Sequence, residues 1–493
     1  MPHTDHTLQL DTPEEGRLLR DFLRESGYER ENLAKLLGMV GPPSRQHRNL
    51  PLQLHQTREP SRLNTLVRWF IIGTAVEAKA AREVIPEEIL RVMEKSGLLV
   101  REANNLVPAV LLLPPAGLLL AADPNPESNP RRDLVIGPNA PAHFLSQFTV
   151  RRNVRSALDL CCGGGIQALR MASHCETVVA SDLNPRALMY ARFNARLNGV
   201  ENIEFVQGDC FNPVRGRRFD LIVSNPPFFL LPANDLLYRD NPMELDSFAR
   251  ELVRQAPAFL NEGGFFQMMF EWAEIEGEPW RQRLTGWLPD SGFDVWIVQE
   301  YALEPTEYAD TKLRSTDQVS VEDDVETLSG WTEYYRNHKV AAMHGGAITM
   351  RKRSNVRSWV DMEEAPFRRG EPFGEMMESF FAAHDLVLDA ADEALLNICP
   401  RLSPHARLEQ VARSSEQGWE EPSMQLRMSY GLERACGVDQ QVAAFLSQLN
   451  GKRSLRELLA LLSPQDGPSA DQVRVGCLEV MRRLILRGFV LAE

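Results

Sequence analysis

Between residues 156 and 350 seven short apolar runs alternate with stretches of helical patterning: SALDL (156–160), TVVAS (177–181), IEFV (203–206), DLIVS (220–224), FFQMMF (265–270), DVWIV (294–298) and AITM (347–350). Strands that are apolar on both faces have no side to offer water, so they pair into a mostly parallel sheet covered by helices above and below. The middle of the chain is therefore expected to be a doubly wound, seven-stranded α/β domain of Rossmann-like type. The chain has 493 residues, too many for one compact core, and two to four domains are expected.

A first domain is expected over 1–125. Thr12-Pro13-Glu14-Glu15 is a capping box with Pro in the first turn, which predicts a helix to about Ser26, ended by Gly27. A second helix should end at Gly38, a third carries Leu66, Val67, Phe70 and Ile71, and a fourth runs from Pro86 to Gly97. Strand-like runs at 98–100 and 107–113 follow. Helices and then a hairpin fit a winged helix, or a helix-rich packing with no recognition role. The uncharged run Asn104 to Ala122 has the length of a membrane span, but Pro108, Pro114, Pro115 and Gly117 interrupt it, which predicts two buried strands and a turn. DPNPESNPRRD (123–133) reads as a linker into a central domain over 131–353, in which 301–338 is an insertion, either a lid or an elaborated connection. From 356 to 493 the pattern turns helical, with capping boxes at Ser454–Glu457 and Ser469–Gln472 and one last strand, FVLAE; this unit too is compatible with a winged helix.

The formal charge of −14 and the absence of a basic tail exclude a general nucleic-acid coat protein. Seven cysteines with no C-x-x-C pair argue against a disulfide scaffold or a zinc ribbon, and the ten histidines show no metal spacing, so no metal is expected. No basic segment followed by an apolar stretch opens the chain, which predicts a cytoplasmic protein without membrane attachment.

The chemistry is concentrated where strands end. Asp159-Leu160-Cys161-Cys162-Gly163-Gly164-Gly165 is a buried strand, a glycine turn and the start of a helix, a form that lets backbone approach a ligand and offers free N–H groups. The second strand ends at Asp182, where a carboxylate can accept ribose hydroxyls, and the third at Gly208-Asp209, where one can accept an adenine amino group. Each Asp could instead cap a helix; successive strands ending this way favour a ligand crevice. The fourth strand ends in Asn225-Pro226-Pro227-Phe228. The Asn225 side-chain carbonyl and the Pro226 backbone carbonyl can accept the protons of a planar amide or exocyclic amine, while the Phe228 ring stacks on its plane. A Pro-Pro loop that merely ends a strand would explain the prolines but not Asn and Phe around them.

These motifs, in this order on successive strands, resemble class I S-adenosylmethionine-dependent methyltransferases, in particular the small-methyltransferase group that includes the HemK-like glutamine methyltransferases and several RNA N-methyltransferases. The resemblance covers about 131–353. It implies S-adenosyl-L-methionine as cofactor, with Asp159, Cys161 and Gly163 to Gly165 around its methionine part, Asp182 at the ribose, Asp209 at the adenine, and Asn225 to Phe228 at the acceptor nitrogen. Cys161 stands where the family usually has Gly, and a Cys there takes a positive φ only with strain. The expected activity is methylation of a planar nitrogen, most simply a glutamine of a protein partner; an adenine or guanine amine of RNA or DNA and a non-catalytic cofactor-binding scaffold are the alternatives. The acidic balance favours the protein substrate. Arginine clusters at 131–132, 151–155, 215–218 and 351–357 read as solvated surface, and Trp331, Tyr334 and Tyr335 as core. The oligomeric state is not legible.

Overall fold

The computed structural model describes residues 7–38, 50–124, 131–232, 237–240, 243–314, 321–354, 357–366, 373–389, 391–416, 418–419, 423–461 and 470–492. At its centre is a sheet of eight strands: β1 (Val154–Leu160), β2 (Cys175–Asp182), β3 (Ile203–Gln207), β4 (Phe219–Ser224), β5 (Leu260–Ile275), β6 (Phe293–Leu303), β7 (Val340–Lys352) and β8 (Val360–Glu364). Their order is β8-β6-β7-β5-β4-β1-β2-β3, and only β7 runs antiparallel to its neighbours. All seven apolar runs are strands, so the doubly wound class holds. The eighth strand is a correction: the sheet continues past the boundary expected at 353, because β8, VDMEE, is a polar edge strand with no apolar run to reveal it.

The chain leaves β1 toward β2 and β3 on one side, then returns to place β4 on the other. Helices α1 (Ile166–Met171) and α2 (Pro185–Asn198) make the first two crossings. Between β1 and β4 the strand order therefore reverses, and a crevice opens at the carboxyl ends of these strands. Leu160 is in register with Ser224, so the glycine turn and Asn225 emerge side by side.

The N-terminal helices form as their signals dictate. Pro13–Glu25 starts from a complete Thr12/Glu15 capping box, Arg30–Leu37 ends at Gly38 with φ +62°, and Glu87–Lys95 follows Pro86. Strands Leu99–Glu102 and Asn105–Pro108 form the hairpin, joined by Val76–Glu77, which is the helices-then-hairpin order of a winged helix. Leu111–Leu113 pairs antiparallel with Leu120–Ala122, the two strands and turn expected from the broken apolar run. This module does not stand apart from the centre. Tyr190, Phe193 and Leu197 of α2 sit in one apolar core with Leu19, Phe22, Leu23 and Trp69. At the linker, Asp123 is buried and accepts from Arg186 and from the Tyr190 hydroxyl at 2.6 Å; residues 125–130 lie outside the described residues.

In the segment 301–338, α3 (Pro305–Leu313) and α4 (Val321–Asn337) bury Tyr308, Trp331 and Tyr335 against Leu230, Leu231 and Met343. Of the aromatic residues read as core, Trp331 and Tyr335 are buried and Tyr334 is partly buried against them.

The C-terminal part is not purely helical. Helices such as Gly374–Asp389 and Ala470–Leu486 are accompanied by a strand pair, Pro400–Leu402 with Val490–Ala492, and by a three-stranded sheet of 406–411, 423–428 and 435–438. In 423–428 Leu426 and Met428 are buried while Gln425 and Arg427 are exposed, so each strand carries too few apolar residues to form a continuous run. The box at Ser454 and Glu457 forms as expected, whereas Ser469 lies outside the described residues. This part docks on the sheet edge through Arg434 and Arg487, which both hold Glu363 of β8, and through Phe380 stacked 3.7 Å from Trp296 of β6. No helix among the described residues is long and apolar enough to cross a membrane.

Candidate active site

A cavity of about 780 Å³ lies where the sequence places the crevice, walled by the turns after β1, β2, β3 and β4. Of the residues expected there, Asp159, Cys161, Gly163, Gly164, Asp182, Asp209, Asn225 and Pro227 line it. Gly165, Pro226 and Phe228 do not. A Cβ at Gly165 would come 3.1 Å from Ala191 Cβ, so this glycine lets α2 pack closely, and with φ +84° it caps α1. Phe228 is half-buried, packs against the apolar core on one side of the sheet and meets Phe229 edge-on at 5.6 Å. Besides Phe211, which follows the Asp209 turn, the aromatic residues facing the cavity are Tyr238, Phe248 and Phe259. They sit in segments with no motif, and sequence reasoning missed them together with Asn139 and Glu251.

Asp182 is fixed from two directions. Its Oδ2 accepts the Gly163 N–H and its Oδ1 the Asn184 N–H, both at 2.8 Å, and Asn184 in turn caps α2 through the Arg186 N–H. Each carboxylate oxygen retains capacity to accept a further bond from the cavity. Gly163, at φ +52°, would direct a Cβ into open space, so its backbone is bare toward the cavity. Gly164 is held by its carbonyl, which accepts from Asn194 Nδ2 at 2.9 Å. The same side chain exchanges two bonds with Ala121: Oδ1 accepts its N–H at 2.8 Å and Nδ2 donates to its carbonyl at 3.2 Å.

Asp159 is buried at the end of β1 and accepts the Ala168 N–H at 2.8 Å. Burial pushes its carboxyl up to about 8, opposed by that hydrogen bond and helped by the nearby Asp182 charge. Burial raises Asp182 as well. Cys161 occupies φ +60° and Cys210 φ +46°, so two non-glycine residues on the cavity wall hold left-handed backbone. Their thiols are pushed up by burial and stay protonated, and Cys210 Sγ donates to Asp209 at 3.1 Å.

At the end of β4, Asn225 Oδ1 is buried and has no hydrogen-bond partner. A buried carbonyl oxygen left unpaired costs about 1–3 kcal/mol, and a donor supplied by a ligand removes that cost. No group of three or more His, Cys, Asp or Glu among the described residues is arranged to hold a metal ion.

Residues 139–273 match the model of the methyltransferase small domain family. The central domain is a methyltransferase small domain. Residues 25–109 and 378–492 each match a domain of unknown function. The chain is 34% identical over 158 residues to a ribosomal protein uL3 glutamine methyltransferase of Xylella fastidiosa, covering 30% of this chain and 48% of that protein. It is 36% identical over 154 residues to a release factor glutamine methyltransferase of the same species, covering 27% and 55%, and 35% identical over 162 residues to the release factor glutamine methyltransferase of Vibrio cholerae, covering 29% and 54%. The chain thus spans about half the length of the curated relatives it matches. These relatives group the methyltransferase domain with the HemK-like enzymes, whose cofactor is S-adenosylmethionine. The residues present fit that group: an anchored carboxylate at the β2 corner, bare glycine backbone at the β1 turn, and an unpaired amide oxygen at β4.

Proposed function

We propose that the chain transfers a methyl group from S-adenosylmethionine to the side-chain amide nitrogen of a glutamine in a protein partner. The observation that carries this reading is the buried, unpartnered Asn225 Oδ1 at the cavity wall, on the strand next to the glycine turn that Asp182 holds. When bound, the cofactor supplies an electrophilic methyl group on a sulfonium. Asp182 accepts the ribose hydroxyls and Asp209 the adenine amino group, while Asp159 and Gly163 to Gly164 surround the methionine end. Asn225 Oδ1 accepts a proton of the target amide, while the Pro226 carbonyl, expected as a second acceptor, lies outside the cavity lining. The Asn225 bond orients the amide and raises electron density on a nitrogen whose lone pair is otherwise delocalised. No covalent enzyme intermediate and no metal are needed.

Two things support a protein acceptor over a nucleic-acid base. The relatives are named for glutamine in ribosomal protein uL3 and in release factors. Some of the arginine in the sequence's basic clusters is also paired with carboxylates: Arg351 and Arg353 hold Asp294 and Asp385, Arg217 holds Glu204 and Arg131 holds Asp133. Those pairs lower the charge available to neutralise phosphates. The test is transfer of radiolabelled methyl to a cell extract divided between protease and nuclease. Label lost to protease, and recovered as methylated glutamine amide, is expected; label lost to nuclease assigns the base reading instead.

A further inference from the structure

The C-terminal sheet leaves one edge open. Strand 406–411 is an outer strand of that sheet, and Arg407 to Val411 are all exposed. It pairs with 423–428 without a bulge and contains no proline, so two of the usual devices that blunt an edge are missing. The His405 carbonyl accepts the Ser429 N–H at 2.8 Å, which continues the register of Ala406 with Met428. Backbone groups alternate along an antiparallel strand, so 407, 409 and 411 turn theirs inward to 423–428, while Leu408 and Gln410 present theirs to the open edge. On the core face, Leu408 stands across from the buried Leu426 yet is itself 46% exposed. The apolar face of the sheet therefore runs off its own edge. On the opposite face Arg407 and Glu409 flank this position with opposite charges.

We propose that a second copy of this chain occupies the edge, the two 406–411 strands pairing antiparallel about a two-fold axis at Leu408. In that register Leu408 and its copy exchange two N–H···O bonds, and each Gln410 N–H meets the Ala406 carbonyl of the other chain. Arg407 falls opposite the copy's Glu409, and the reverse, at positions that are not hydrogen-bonded and where side chains approach most closely. Glu409, which already holds Arg427 across its own sheet at 2.8 Å, gains a second cation. Leu408 meets Leu408, and the two apolar faces join into one. The order Arg-Leu-Glu is complementary to itself when reversed, which is what a two-fold contact between identical surfaces requires. This proposal does not depend on the reaction assigned above.

Sedimentation velocity on the full chain over the micromolar range tests it. The parent chain is expected to sediment as a dimer. Leu408→Pro removes an N–H that points to the open edge and serves no bond within the chain's own sheet. Arg407→Glu sets like charges opposite one another at an exposed site. Each should weaken the dimer about tenfold or more with the circular dichroism unchanged, and Arg407→Glu combined with Glu409→Arg should restore it. A parent chain that stays monomeric, with the edge left for a strand of another protein, would overturn the proposal, as would a dimer indifferent to Leu408→Pro and Arg407→Glu.

Discussion

The hydroxyl oxygen of Tyr308 accepts the backbone N–H of Leu230 at 3.0 Å while the same hydroxyl donates to the buried carboxylate of Glu271. Leu230 lies five residues beyond Asn225 in one loop, and Lys312, one helical turn after Tyr308, places its ammonium 3.8 Å over the Phe229 ring. The segment 301–338 thus holds the acceptor loop from behind. Tyr308→Phe should leave the Leu230 N–H buried and unpaired, costing about 1–3 kcal/mol in loop order. The expected outcome in a methyl-transfer assay is a fall in kcat with cofactor affinity, read by calorimetry, within a few-fold of the parent.

Asn225→Ala removes an acceptor from the target nitrogen and touches nothing that anchors the β1 turn. Turnover should collapse while S-adenosylmethionine binds within a few-fold of the parent affinity. Equal turnover in steady-state kinetics would reduce the Asn-Pro-Pro-Phe turn to a structural feature.

Asp182→Ala acts on the other wall. It removes both the proposed ribose contact and the 2.8 Å anchors of Gly163 and Asn184. Cofactor affinity should fall by about 1.5–3 kcal/mol. Because those anchors exist without ligand, the unfolding midpoint of the ligand-free chain should fall as well, which differential scanning calorimetry reads directly.

Asp159 gives the pH dependence. Its carboxyl, raised by burial to about 8 in the folded chain, keeps a proton that the unfolded chain releases near pH 4. The fold's advantage from this group is complete below about pH 4 and is lost as pH rises through about 8. Thermal unfolding of the ligand-free chain should therefore show stability declining across that window, and Asp159→Asn should flatten the decline. A slope unchanged by Asp159→Asn would show that the loss comes from other groups.

Cys161 holds a left-handed backbone that disfavours any side chain with a Cβ. Cys161→Ala keeps the strain and loses the sulfur, whereas Cys161→Gly loses both. The glycine variant should be the more stable of the two by about 1 kcal/mol in chemical denaturation.

The sheet and the four turns that wall the cavity were legible because buried parallel strands are written as unbroken apolar runs and their ends carry Gly, Asp and Asn in fixed places. The sequence named the Asn225 turn correctly as a cavity wall, yet it assigned the stacking surface to Phe228, which is half-buried against the core and does not line the cavity. A motif specifies which residue is present, whereas the direction of a ring is set by the core it packs against, built from residues far away in sequence. Tyr238, Phe248 and Phe259 were illegible for the same reason. The sheet at 406–438 was missed because half-buried strands alternate: Leu426 and Met428 face inward between exposed Gln425 and Arg427, a period of two that a search for continuous apolar runs passes over.

Asn194 ties Ala121 of the first domain to Gly164 of the cofactor turn with a single buried amide, and α2 lends its other face to the first domain's core. A gene cut at the apparent linker would not release two working parts. The fragment beginning at residue 131 would expose Tyr190, Phe193 and Leu197 to water and leave Asn194 with its strand partner missing, so it should accumulate as insoluble material on expression. The same coupling restricts how such a chain can be shuffled: the first domain and the methyltransferase domain can be inherited or exchanged only as a pair.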